Sequence, residues 1–343
     1  FPTTDQFTDW IRAVVGHRRN STFDPNAAIV RGIEESRQQG VATLGEIATA
    51  DVDYTHFVTA QAPSTVIFRE LIGLTEEATS QQLDIARRFL DRSPQDADHI
   101  RHALSPHAPY SVHPQLFCAL AELATQHEVP IAMHLAETLG EIELLDHGTG
   151  EFVDLLTDFG LWCSDLFDRG TRPLDYLRPL AKAPSALIIH GNYLSEEELD
   201  FITRHPQLSV VYCPRTHAFF GHAPHPWQSL IERGANVALG TDSRASNPDL
   251  SLWNEMQFLH RRFPDIDPCV LLQMGTVNGA QALNYSESSA PPFGIGTSAD
   301  LTIVSLPEHV EGNPRSLLFH ADSQVIGGMR DGRWMLPPGD STR

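Results

Sequence analysis

The sequence predicts an α/β fold: a (β/α)8 TIM barrel lacking its first strand, followed by a partial C-terminal β-sandwich piece. Three observations predict it. Seven short apolar runs recur between residues 41 and 243 of the 343. Segments with helical spacing lie between them. Polar residues able to carry chemistry collect where the runs end, which is where barrel enzymes build their sites.

The runs are Val41–Ala48, Ser64–Gly73, His102–Pro109, Pro130–Thr138, Ser185–Leu194, Leu208–His217 and Asn236–Ser243. Several are rich in Val and Ile, as strands buried on both faces of a parallel sheet are. Gln81–Asp91 sets Leu83, Ala86, Phe89 and Leu90 on one helical stripe, and Pro114–His127 does the same with Leu116, Leu120, Leu123 and Ala124. Ser195 before Glu196–Glu198 reads as an N-cap with an acidic first turn. Strands alternating with helices mean βα units. Seven units over about 245 residues stand one short of the eight that fill about 250. An open doubly wound sheet is the rival, but it usually brings a Gly-rich phosphate turn, and no G-x-G-x-x-G occurs.

The segment Gly140–Asp175 is too long for a simple connection and is expected to cover the barrel mouth or an interface. From about Ser286 the texture changes to short apolar runs between Gly-rich turns. The expected division is therefore 1–285 for the barrel and 286–343 for the β-sandwich portion.

Acidic residues outnumber basic ones 44 to 24, for a net charge of −20. A field of that sign repels phosphate backbones and argues against a nucleic-acid partner. No apolar run approaches the roughly 18 residues of a membrane span, and no secretory leader opens the chain. Four scattered cysteines without a C-x-x-C pair read as reduced thiols of a cytoplasmic protein and exclude a cysteine zinc site. The 17 histidines are the compositional anomaly.

Several of those histidines end strands. His134 closes one run and Glu137 comes three residues later, so both can face the same mouth. Imidazole suits zinc or iron, and a nearby carboxylate that is not a ligand can move protons. His190 ends the next apolar run, and Asp242 ends the last. A carboxylate there can ligate a metal and take a proton from its water. His107, between two prolines, is stiffly held and suited to gripping a substrate. Glu70, Arg215 and His217 are further candidates for substrate contact, with His222 and His225 close to the last. Taken singly, each has an ordinary reading: a hydrogen-bonded strand-end histidine, a turn aspartate, a Pro-rich loop, an ion pair. Their order along one barrel face makes independent ordinary readings less attractive.

With those residues in place, the motifs SPHAPYSV, MHLAET, IIHGNYL, the CP of YCPRTH and LGTDS resemble the metal-dependent amidohydrolase superfamily. The likeness is to its branch of guanine, S-adenosylhomocysteine and aminofutalosine deaminases and triazine chlorohydrolases. It spans Ser105 to Ser243, and GIGTSADLTIV is similar to the family's closing sandwich strands. The resemblance implies one divalent metal, usually zinc with iron and manganese open, on His134 and Asp242. It implies that Glu137 shuttles a proton to a substrate ring nitrogen, His190 hydrogen-bonds the attacking oxygen or substrate, and His107 contacts the substrate. It implies a small heterocyclic substrate and a homodimer. The expected reaction is deamination of an amino-substituted heterocycle or an adenosine-like nucleoside. Chloride or amide hydrolysis on the same scaffold, or a non-catalytic metal-poor barrel, are the alternatives. The absence of a lysine at the end of the fourth barrel strand fits the mononuclear type.

One departure stands out. The family's first strand ends in H-x-H, which supplies two ligands, and no H-x-H occurs in this chain. Phe1–Arg19 resembles the family's segment shortly after that motif, and the chain does not open with Met. The expectation is that an N-terminal part carrying H-x-H and half the sandwich is absent, leaving this chain metal-poor and inactive alone.

Overall fold

The computed structural model describes residues 1, 4, 6–20, 24–49, 53–59, 61–92, 99–285 and 294–339. Seven parallel strands form one sheet in sequence order: Thr43–Ala48 (β1), Ser64–Leu71 (β2), Ile100–Pro106 (β3), Ile131–Leu135 (β4), Ala186–His190 (β5), Leu208–Tyr212 (β6) and Asn236–Leu239 (β7). Each falls on one of the seven apolar runs. Helices fill the connections, including Glu76–Asp91 and Pro114–Gln126 where helical spacing predicts them. Ser195 caps the helix Glu196–Thr203 in a reciprocal capping box with Glu198.

The structure corrects the sequence reading at one point. Residues Pro214–His217, read as the end of the sixth strand, belong to a helix, Pro214–Phe220. Pro214 sits in the first helical turn, where its missing N–H is not needed and its fixed φ suits the helix. The sheet agrees with the expected α/β barrel-like fold in its seven parallel strands taken in sequence order. It is a curled parallel sheet whose edges are β1 and β7, and no eighth strand pairs them among the described residues.

Alternation of side chains divides the core in two. Val66, Phe68, Ala103, Ala132, Leu187, Ile189, Val211, Cys213 and Ala238 fill the concave face. Their neighbours Ile67, Leu104, Ile131, Met133, Ile188, Val210 and Val237 face outward and pack in the larger core with the helices. Ala282, Leu283 and Tyr285 close the N-terminal end of the concave face, where the Tyr285 hydroxyl donates to the His99 carbonyl at 3.0 Å.

A second, antiparallel sheet is built from Leu301–Ser305 (β8), Gln324–Arg330 (β9) and Arg333–Leu336 (β10), in the order β10-β9-β8. It abuts the helix Pro25–Gln38. Thr302 donates its hydroxyl to the Gly40 carbonyl at 2.8 Å, and a Cβ at Gly40 (φ +72°) would meet the Thr302 methyl at 2.5 Å. Only glycine allows that approach and that backbone angle together. The expected division at 286 falls at residues 286–293, outside the described residues. No described helix is long and apolar enough to cross a membrane.

Phe68 is fully buried on the concave face. Phe68→Ala is expected to lower unfolding free energy by roughly 3–5 kcal/mol in a urea titration, since both transfer and cavity terms act there.

Candidate active site

The C-terminal ends of β2 to β7 gather the chemistry. On β4, Ala132 faces inward, so His134 does too. Its Nδ1 lies 2.9 Å from the His107 carbonyl. A carbonyl only accepts, so Nδ1 is a donor there and Nε2 is the ring nitrogen turned away from that bond. The His107 ring centroid is 5.0 Å from that of His134, and the His190 centroid is 5.5 Å away on the other side.

His107 holds its own orientation through Nδ1, 2.6 Å from the Ser111 hydroxyl. Ser111 in turn donates to the Ala108 carbonyl at 3.1 Å. Glu70 approaches His107 Nε2 at 3.9 Å. Burial pushes the Glu70 carboxyl up and the His107 imidazole well down, so both are driven toward neutrality and the contact is not a formed ion pair.

The chain turns sharply at three strand ends. Ala136 (φ +54°), His190 (φ +69°) and Asp242 (φ +57°) are all left-handed without being glycine. The turn at Ala136 delivers Glu137 to the site. The Ala136 and Glu137 N–H groups donate to the two oxygens of Glu141 at 2.7 and 2.9 Å. Asn192 donates to the Glu137 carbonyl at 3.0 Å. The Glu137 carboxyl then meets His190 Nε2 at 3.4 Å. Burial, reinforced by the charges of Asp242 and Glu141, pushes the Glu137 carboxyl well up. Burial pushes His190 well down. Asp242 accepts from the Ser243 N–H at 2.6 Å and from the Ser246 hydroxyl at 2.8 Å.

The structure thus brings His107, His134, Glu137, His190 and Glu70 together, with Asp242 near enough to act on Glu137. Arg215 is committed elsewhere. Its guanidinium bonds Asp249 at 2.6 Å and Glu255 at 2.7 Å. His217 is buried, with Nε2 2.8 Å from the Ala223 carbonyl and its ring near Tyr212, His222 and His225.

Sequence reasoning passed over Glu141, which is fully buried, and Ser246. Glu141 had a usable signal: Thr138-Leu-Gly-Glu141 has the T-x-x-E spacing of a capping box. Thr138 does accept from the Glu141 N–H at 3.0 Å, while the Glu141 carboxylate reaches past the cap to the strained turn.

Two donors suit a divalent metal here: Nε2 of His134 and the Asp242 carboxylate. Fixing a ligating imidazole through its other nitrogen is the usual arrangement of such sites. Catalytic zinc takes three protein ligands plus water, and no group of three or more His, Cys, Asp or Glu is arranged to hold a metal among the described residues. The donors present are of fitting kinds but make an incomplete set.

A curled parallel sheet thus gathers buried imidazoles and carboxylates at its C-terminal mouth, where barrel folds place their sites. Residues 3–335 match the family model of the amidohydrolase family. The chain belongs to that family. It is 31% identical over 246 residues to a 5-methylthioadenosine/S-adenosylhomocysteine deaminase of Halalkalibacterium halodurans, covering 68% of this chain and 52% of the relative. The chain spans about half to two thirds of the length of the first curated relatives it matches. Its fold is similar to that of Helicobacter pylori aminofutalosine deaminase, with a TM-score of 0.80 at 20% identity over 97% of this chain and 82% of that one. An adenosine deaminase from Xanthomonas campestris, solved with bound zinc, gives 0.75 at 22% identity over 98% and 76%.

Two outcomes are expected. Arg215→Ala leaves Glu255 buried without its cation and should destabilise the fold by roughly 3–5 kcal/mol in chemical denaturation, with only partial recovery in Arg215→Lys because the forked geometry is lost. Burial also pushes the Glu141 carboxyl from 4.5 up to about 7. The folded chain therefore holds that proton more tightly than the unfolded chain, and this group's contribution to stability falls as pH rises from about 4.5 to about 7. Glu141→Gln should flatten the stability profile across that window in urea melts taken at several pH values.

Proposed function

We propose that this chain carries the proton-transfer centre of a metal-dependent hydrolase that deaminates an adenosine-like nucleoside. One observation carries the reading: a buried Glu137 carboxyl, biased toward its protonated form, sits 3.4 Å from a buried neutral His190. A carboxylic acid kept protonated toward neutral pH can give its proton to a ring nitrogen of a cyclic amidine. Protonation there makes the amino-bearing carbon electrophilic. His190, held neutral, hydrogen-bonds the incoming oxygen or the substrate. Asp242 takes one proton from the oxygen that adds and passes it to the amino group, which leaves as ammonia, while the other proton of that water restores Glu137. His107, fixed by Ser111, and Glu70 lie where the heterocycle contacts the wall. A divalent metal, zinc above iron or manganese, supplies Lewis-acid activation of water at neutral pH when bound. His134 and Asp242 would hold it, with further donors from outside the described residues. Arg215 is assigned a role in holding the β6 and β7 loops rather than in binding substrate. Four free cysteines support a reducing, cytoplasmic setting.

The relatives named above support an adenosine-like substrate. The test is ammonia release from methylthioadenosine, S-adenosylhomocysteine and 5'-deoxyadenosine. Glu137→Gln should reduce turnover at least about 10²-fold while leaving thermal unfolding little changed. Unchanged turnover removes Glu137 from the reaction. Chloride release from a triazine, with no ammonia from any nucleoside, replaces the deaminase by a chlorohydrolase.

A further inference from the structure

We propose that His225, in the His-rich loop after β6, is a positioning residue that aims the His190 imidazole at Glu137. The alternation of β5 puts Leu187 and Ile189 on the concave face, so a regular strand would turn His190 away from the site. The left-handed backbone at His190 (φ +69°) reverses that direction. A non-glycine residue holds such a conformation only where its surroundings over-determine it.

The surroundings are specific. His225 Nε2 lies 2.7 Å from the His190 carbonyl. The carbonyl can only accept, so Nε2 carries the proton. Burial pushes the His225 imidazole down to about 3, so the ring is neutral and holds one proton. Nδ1 is then bare, and it has no hydrogen-bond partner among the described residues. The single N–H is thus spent on the backbone oxygen of the turn. Tyr212 fixes the plane of the His225 ring by stacking at 4.1 Å and 24°. On the far side of the turn the Gly191 N–H donates to the Leu135 carbonyl at 3.1 Å, and the Tyr193 N–H to the Ala136 carbonyl at 3.0 Å. These bonds tie the β5 turn to the β4 turn that carries Glu137. His225 is the side chain that holds the outer face of this arrangement.

The role is tested on the full chain with His225→Gln, which keeps a donor near the Nε2 position, and His225→Phe, which keeps the stacked ring and removes the donor. The primary readout is the imidazole 15N signals of His190 in protein labelled at histidine, assigned by their loss in His190→Asn. Wild-type-like His190 signals in the Gln variant and displaced ones in the Phe variant are expected. The kinetic arm rests on the deaminase reading: the Phe variant should lose about 10-fold or more in kcat with KM little changed, and the Gln variant should recover most of it. The NMR arm needs no substrate, so a failure of the deaminase reading leaves it standing. Undisplaced His190 signals in the Phe variant overturn the proposal. Equal displacement or equal unfolding of both variants also overturns it, because the donor then makes no difference. A Phe variant that unfolds beside an intact Gln variant assigns the bond to global stability and overturns a positioning role.

Discussion

Three left-handed turns at non-glycine residues hold the site, and each is stabilised by hydrogen bonds from outside its own strand. A residue in that conformation costs of the order of 1–3 kcal/mol. The Ala136 turn is held by the Glu141 carboxylate through two backbone N–H groups. The His190 turn is held by His225. At Asp242 the Ser246 hydroxyl takes one carboxylate oxygen, and Asn247 bridges the preceding Thr241 carbonyl to Glu255 at 2.6 Å each. Glu255 is in turn the partner of Arg215. Arg215, a candidate substrate contact in the sequence, is therefore linked through Glu255 and Asn247 to the last strand end.

Electrostatics at the mouth run against the composition. A chain of net charge −20 would be expected to present ionised carboxylates. Inside the mouth, burial drives Glu70 and Glu137 up and His107 and His190 down. The result is a set of groups each shifted toward its neutral form. Water would level these differences; the low-dielectric pocket preserves them. Neutral polar walls also suit an uncharged heterocycle better than an anion.

The strands were legible because burial on both faces leaves short Val- and Ile-rich runs that no solvent-facing element would show. The site was legible in outline because strand-end residues are placed by topology, so the order His107, His134, Glu137, His190, Asp242 survives in one dimension. The helix Pro214–Phe220 was hidden because its apolar content continues that of β6. The roles of Glu141, Ser246 and His225 were hidden for a different reason. Glu141 and His225 bond backbone groups of strand-end turns and Ser246 bonds the Asp242 carboxylate, and such pairings leave no trace in residue type. His190 is the clearest case: alternation alone points it the wrong way, and only the turn angle corrects it.

A helix that sequence reasoning did not assign, within the segment likened to the family, packs against the loops at the mouth. Phe7–Asn20 is tied to the insertion at 140–175 by Thr8, whose hydroxyl donates to Glu151 at 2.8 Å, and by Arg12, which bonds Asp158 at 2.7 Å. It is tied to the β7 loop by Trp10, whose indole N–H donates to the Ala245 carbonyl at 3.3 Å. Phe7 packs edge-on to Phe220 at 4.9 Å, which links it to the helix after β6. One helix thus touches the loops after β4, β6 and β7, the strand ends that supply Glu137 and Asp242 and the His-rich loop. Rigid strand ends set the chemistry. The loops beneath this helix are joined to the sheet only at its strand ends, which is where a rigid scaffold carries its binding residues.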